Sequence, residues 1–152
     1  MNKTIVAHPD DLLSLPGKKL GPTETMRITQ SRIDQFAEAT DDHQWIHVDA
    51  ERAAAGPFGK TIAHGYLTLS LASCFLPDLI EVQNTSMGVN YGTEKARFPS
   101  PVAVDSDIFA TGEIISAEEN KGGIKTVVRV TISVLGSDRP ACIVDTISVF
   151  YP

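Results

Sequence analysis

The sequence predicts an α+β domain in which an antiparallel sheet curls around one apolar helix. Three observations predict it. Helical signals crowd into the first 80 or so residues, and four alternating, β-branched runs fill the remainder. Between them, residues 65–76 are apolar enough to be enclosed. The chain has 152 residues and reads as one domain spanning 1–152, with no repeat, linker or low-complexity stretch. A domain of this size buries about 70% of the surface its unfolded chain would expose.

Each element has its own signal. Pro9 opens a short helix through Asp10-Asp11-Leu12-Leu13, ending near Pro16-Gly17. Residues 23–28 alternate loosely and read as a strand. Ser31 is an N-cap candidate for a helix over 32–39, with Ile33, Phe36 and Ala37 on one face. Asp49 is a second N-cap, for a helix over 50–55 that stops at Gly56-Pro57. Residues 65–76 carry apolar side chains on nearly every side, so this helix should be buried all round, with Pro77 stopping it. Leu67, Leu69 and Leu71 also alternate, but the length of the run favours a helix over a strand. Strands are expected at 87–98, 106–116, 125–135 and 141–151, in an antiparallel meander turning at Gly122-Gly123 and Gly136-Ser137-Asp138.

Composition narrows the partners. Net charge is −6, and no basic block exceeds Lys18-Lys19, which argues against a nucleic-acid partner. The apolar stretch at 65–76 would span only about 18 Å as a helix, too short for a bilayer, so no membrane partner is expected. The N-terminus lacks the continuous apolar core of a signal peptide. Cys74 and Cys142 both sit in apolar runs and read as buried thiols, so a cytoplasmic location is expected.

Chemistry-bearing residues crowd between 40 and 73, where three of the four histidines lie. Asp42 and His47 are five apart, which on a continuous helix leaves them about 140° apart. They converge only if the helix ends before Asp42 and the chain turns, with Trp45 anchoring the turn. Converged on one water, they make a workable acid/base pair. His43 and His47, at i and i+4, offer a competing metal-binding reading, but no third ligand has a recognisable spacing, so no metal is expected. His64-Gly65 opens the apolar helix, whose first amides suit a carbonyl oxygen gaining charge, and Gly65 permits close approach to the backbone. Tight helix packing explains that glycine equally well. Ser73 lies about 12 Å further along the axis and could support Asp42 only indirectly; hydrogen bonding of Ser70 and Ser73 back to the helix is the simpler reading.

The segment Ala39-Thr-Asp-Asp-His-Gln-Trp-Ile-His-Val-Asp49, followed by Ala53-Ala-Ala-Gly-Pro-Phe-Gly-Lys-Thr-Ile-Ala-His-Gly65, resembles the MaoC-like, (R)-specific enoyl-CoA hydratase family. Val89-Asn-Tyr-Gly92 and Ala96-Arg-Phe-Pro-Ser-Pro-Val102 look like its NodN-type branch. The resemblance implies a hot-dog fold over nearly the whole chain and a homodimer whose sheets join. It places Asp42 and His47 on the family's catalytic pair, Ser73 on the serine supporting that pair, and Gly65 on the glycine whose amide binds the thioester carbonyl. Gln44 stands where the motif has asparagine, Trp45 where it has proline, and Asp41 where a glycine is usual. Gln44 and His64 are expected substrate contacts, with Lys60, Lys95 and Arg97 as candidate phosphate contacts. The implied reaction is hydration of a trans-2-enoyl thioester to an (R)-3-hydroxyacyl thioester, as in fatty-acid metabolism. No resident cofactor is implied, since coenzyme A or an acyl-carrier pantetheine arrives with the substrate. A hot-dog thioesterase and a non-catalytic acyl-binding subunit are the alternatives.

Overall fold

The computed structural model of the chain describes residues 2–152. In order, its elements are β1 (Thr4–Val6), a 3-10 helix (Pro9–Ser14), β2 (Lys19–Leu20), β3 (Met26–Arg27), α1 (Gln30–Thr40), α2 (Trp45–Val48) and α3 (Ala50–Ala54). There follow α4 (Gly65–Ser70), α5 (Ala72–Leu79), β4 (Ile80–Val82), β5 (Met87–Arg97), β6 (Asp107–Asn120), β7 (Gly123–Val134) and β8 (Pro140–Tyr151).

Strands β6, β7 and β8 form the expected meander. Lys121 and Gly122 both take positive φ, giving the tight turn that sets Asn120 opposite Gly123. A Cβ at Gly123 would stand 2.8 Å from Val149 and 2.9 Å from Tyr151, so this position has no room for a side chain. β5 departs from the meander: it pairs with β8, and the sheet runs β2-β6-β7-β8-β5, with β3 also on β6. The reason lies in the connection from β5 to β6. It is tied to the segment before α4, through Ala63 N–H to Val102 O, Val104 N–H to Thr61 O and a bridge of Ile62 with Ala103. That detour delivers β6 to the far side of the sheet. β1 and β4 make a separate parallel pair.

The helices cover one face. α5 lies on β6 and β7, α4 on β8, and the 3-10 helix on β6 and β7. Between the layers Leu12, Ile33, Leu79, Ile108, Ile114, Val130, Ile132 and Val144 are fully buried. Each such side chain contributes about 1.5–3 kcal/mol of transfer free energy.

Several local expectations need correction. The strand expected at 23–28 shrinks to Met26–Arg27. The first long helix is capped by Thr29, not Ser31: Ile28 is pinned to Ser106 and Asp105 by backbone bonds, leaving Thr29 extended with its hydroxyl accepting from Arg32 N–H. Asp49 does cap α3, accepting from Arg52 N–H. The apolar helix is broken in two at Leu71, and Pro77 lies inside α5 without ending it. Pro77 sits near the C-terminal end, where its missing amide frees only the Ser73 carbonyl, and buried Leu79 holds the last turn. Nor is the helix pair enclosed all round. Tyr66, Ser70, Ser73, Cys74 and Pro77 form an exposed stripe along it, so Cys74 is an exposed thiol; Cys142 is the buried one, its pKa pushed up to about 11 by burial. Among the described residues no helix is long and apolar enough to cross a membrane.

Candidate active site

The site is built where α1 ends. Asp41 adopts a left-handed conformation (φ 60°, ψ 21°) and terminates the helix, so the chain breaks before Asp42 as its spacing to His47 requires. The Asp42 carboxylate then accepts from Gln44 N–H at 3.4 Å, and α2 begins at Trp45. Trp45 is thus the first helical residue, the position that best tolerates the proline of the family motif. Its half-buried ring lies under the Arg52 guanidinium, 4.4 Å from the centroid, and against Gly56, where a Cβ would come within 3.0 Å of it. Trp45 does anchor the turn.

Two residues further, His47 is buried. Its Nδ1 lies 2.7 Å from the carbonyl of Ile62, and because a carbonyl only accepts, Nδ1 carries the hydrogen. Nε2 is left with a free lone pair. The Gln30 amide braces this turn, donating to His47 O at 2.8 Å while its own oxygen accepts from Thr61 Oγ1 at 2.6 Å. His64, only 2% exposed, stacks on His47 with ring centroids 3.9 Å apart and planes 22° apart. Its Nε2 donates to the Asp42 carbonyl at 3.0 Å. Phe36 of α1 also packs on His64, tilted by 55° at 4.9 Å between centroids. An oxygen of the Asp42 carboxylate and one ring nitrogen from each histidine lie within 4.8 Å of one another. A water hydrogen-bonded at about 2.8 Å to two such groups fits that spacing. Both histidines are buried and Asp42 is exposed, so the cluster opens on the aspartate side.

Burial holds the His47 imidazole below the ordinary histidine value and neighbouring His64 reinforces this, while the Ile62 bond and the Asp42 charge oppose it. At neutral pH His47 therefore presents a neutral ring with a basic Nε2. The three ligand atoms are close enough for one metal ion, but as stacked here the two rings do not aim their lone pairs at one point. Imidazole lone pairs lie in the ring planes, and two nearly parallel planes this far apart do not meet within a bond of about 2.1 Å. The His43–His47 pair fails sooner: His43 precedes α2 and turns to Glu38 at 3.6 Å.

The remaining sequence candidates scatter. His64 was expected to contact substrate, yet its ring spends its Nε2 hydrogen on Asp42 and its faces on His47 and Phe36. Gly65 is the first residue of α4, where an amide has no intrahelical acceptor. The ring of Phe98 stands 3.1–3.3 Å from where its Cβ would be, so any side chain there requires Phe98 to shift by a few tenths of an ångström. Tyr66 meets the same ring edge-on. Ser73 does not support Asp42: its hydroxyl donates to the Ser70 carbonyl at 2.7 Å, and the residue lines a cavity against β5 and β8. Gln44 is exposed and makes no side-chain cap bond, and Lys60 is exposed in the loop before Ile62. Lys95 and Arg97 line a cleft with Arg129 and Asp145, on the sheet face opposite the helices, so they do not converge with the pair within one chain. Four contributors escaped the sequence: Gln30, Phe36, Phe98 and the Ile62 carbonyl. Only Phe36 had a signal, its place on the apolar face of α1.

With this geometry in place, the likeness to known proteins is specific. The MaoC-like domain family matches residues 11–135. The chain belongs to that family. It is 45% identical over 138 residues to the 3-hydroxyacyl-thioester dehydratase Z of Mycobacterium tuberculosis, covering 90% of this chain and 91% of that one. It is 40% identical over 144 residues to nodulation protein N of Rhizobium leguminosarum bv. viciae, covering 91% and 88%. Among solved structures, a monoamine oxidase regulatory protein from Archaeoglobus superposes with a TM-score of 0.79 at 20% identity, over 100% of this chain and 99% of that one. The (R)-hydratase of A. caviae involved in PHA biosynthesis gives 0.72 at 24% identity, over 90% and 96%. This MaoC-like protein therefore has the hot-dog fold, its α4–α5 helix pair laid across an antiparallel sheet.

Proposed function

We propose that this MaoC-like protein hydrates trans-2-enoyl thioesters to (R)-3-hydroxyacyl thioesters and catalyses the reverse dehydration. The observation that carries this is the convergence of the Asp42 carboxylate with a buried, neutral His47 whose Nε2 is free. Water held between them adds its oxygen to the β-carbon, and His47 Nε2 takes the released proton. The electron pair of the double bond moves onto the thioester as an enolate, with the Gly65 amide as the donor to its oxygen. His47 Nε2 then passes the proton it took from water to the α-carbon, which completes the product and leaves both side chains as they began, with the Asp42 carboxylate orienting the water. The two relatives named a dehydratase and an (R)-hydratase support the same chemistry.

No resident metal or redox group enters this scheme; coenzyme A or an acyl-carrier pantetheine comes with the substrate. We further expect a homodimer in the cytoplasm. Exposed Met87, Val89 and Tyr91 on β5, beside the exposed helix stripe, offer the surface a second copy would cover.

The test follows the enoyl-thioester absorbance of crotonyl-CoA and longer enoyl-CoAs, with chiral analysis of the product. Asp42→Asn and His47→Ala should each lower kcat by about 10²–10⁴-fold. Activity surviving both substitutions would overturn the assignment, and release of free coenzyme A would make the protein a thioesterase.

A further inference from the structure

His64 does more than fill space behind the pair, and its role rests on the hydratase reading above. It caps α4 through its carbonyl, which accepts from Leu67 N–H at 3.0 Å and Thr68 N–H at 3.2 Å, so its backbone is fixed to the helix layer. The whole residue is only 2% exposed. The hydrogen on Nε2 goes to the main-chain carbonyl of Asp42, which forces the lone pair onto Nδ1. That Nδ1 is buried without a partner among the described residues, and leaving a polar atom so costs free energy that a phenylalanine at the same place would not incur. Something at this position therefore requires an imidazole rather than an apolar ring. The two contacts that distinguish it are the bond to Asp42 O and the face-to-face stack on His47.

We propose that His64 is a positioning residue for hydration: it ties the Asp42 main chain to α4 while its ring backs His47, so that carboxylate and imidazole keep one relative orientation. Asp42 needs such a tether. It follows a left-handed residue, is exposed, and its carboxylate receives one long backbone bond from Gln44. His47 is fixed in its plane by Ile62, and the stacked His64 ring resists tipping of that plane. The groups that face the pair include Phe36 and Gln30 from α1, the Ile62 carbonyl from the segment before α4, and the Asp42 charge from the turn. His43 faces away, to Glu38. His64 is also one of the influences that hold the His47 ionisation down, so its loss should be read at His47 as well as in the rate.

Two substitutions separate the contacts. His64→Phe keeps a ring to stack and loses the donor; His64→Gln keeps a donor able to reach Asp42 O and loses the ring. We expect kcat to fall about 10–100-fold in His64→Phe, with KM within about threefold of wild type, and to recover in part in His64→Gln. In protein labelled with 15N-histidine, wild-type His47 should show the Nδ1–H tautomer, and its titration midpoint should move up in either variant. Wild-type kcat in both variants, or a His47 midpoint that stays put in both, would overturn the role. The nuclear magnetic resonance readout needs no turnover. If wild type hydrates none of the thioesters, the hydratase reading falls while the His47 titration still decides whether His64 positions the pair. Should His64→Phe fail to fold by circular dichroism, His64→Gln carries both measurements.

Discussion

Strands β7 and β5 flank the same strand, β8, one on each side, and are nearly equal in length at 12 and 11 residues. They could hardly differ more in environment. On β7 only Arg129 is exposed; on β5 every residue but Gly92 is. Backbone pairing with β8 is common to both and cannot make the difference. Position in the sheet and the helix layer do: β7 has β6 on its other side, whereas β5 is the edge strand. α5 and the 3-10 helix cover β7, while β5 lies past their edge, across a cavity of about 690 Å³ lined by Leu69, Ser73 and Leu76 on the helix side and Val89, Val144 and Phe150 on the strand side. One strand is finished core. The other has the pattern of a strand that a second layer of protein completes.

The largest effect that tests this contrast is in β7. Ile132 has no exposed surface, and its truncation to alanine should cost about 2–5 kcal/mol in urea or thermal unfolding. The matched change on β5, Val89→Ala, should cost roughly 0.5 kcal/mol or less in the isolated protomer. Equal costs would erase the distinction between the two strands.

Next in size is the effect of charging β5. Tyr91→Asp places a carboxylate on the surface we assign to the second copy, where Tyr91 is 67% exposed in the single chain. Sedimentation should show wild type as a dimer, with the variant's dissociation constant raised at least about tenfold, or 1.4 kcal/mol. Its circular dichroism should be unchanged. A monomeric wild type would mean that β5 is simply a solvated edge.

A smaller effect joins the two strands at Asp145 of β8. Its carboxylate takes two bonds from Arg129 of β7, at 2.8 and 3.1 Å, and also feels Lys95 and Arg97 of β5. The Arg129 hydrogen bonds are the main cause holding its pKa below the ordinary value, against the opposing pull of burial. A carboxyl group depressed on folding contributes stability above its unfolded pKa of about 3.9, and that contribution is lost as pH falls through the lower folded value. Asp145→Asn should therefore cost roughly 1 kcal/mol at pH 7, a modest figure because Arg129 is half exposed, and progressively less as pH falls below the unfolded value. A pH-independent cost would point to packing instead of charge.

The same contrast explains what could be read from sequence. β6, β7 and β8 were legible because one face of each is covered, which stamps a period of two on residues such as Ile108, Val130, Ile132 and Val144. The helix layer was legible as helix, but enclosure all round was not, since apolar Pro77 and weakly polar Cys74 carry no mark of facing outward. Strand order was invisible: the backbone bonds of Ala63 and Val104 that route the chain from β5 to the far side of the sheet are main-chain contacts, which side-chain pattern does not report. At the site, Asp42 and His47 followed from family spacing. The Ile62 carbonyl and Gln30 brace act through main chain or through an amide of ordinary appearance, so composition and spacing had nothing to report. Ser73 shows the opposite failure, where matching a family position put a residue in a site its hydroxyl does not reach in this chain.

The smallest effect concerns the turn that carries Asp42. Asp41 holds φ 60° where the family motif usually has glycine, and a left-handed L-residue pays roughly 1–2 kcal/mol, less for aspartate because its short side chain tolerates the region. Asp41→Gly removes that strain but gives the unfolded chain more freedom, worth about 0.4–1 kcal/mol in the other direction. The two nearly offset, leaving a net stabilisation of about 0.5 kcal/mol, which urea unfolding of the two proteins side by side would resolve. Activity is the more telling readout. With φ already left-handed, glycine leaves the Asp42 position unchanged on average, so kcat should stay within about twofold of wild type if the His64 tether holds the main chain there. A large loss of kcat with stability unchanged would show that the Asp41 side chain itself, and not the tether, fixes where the carboxylate points.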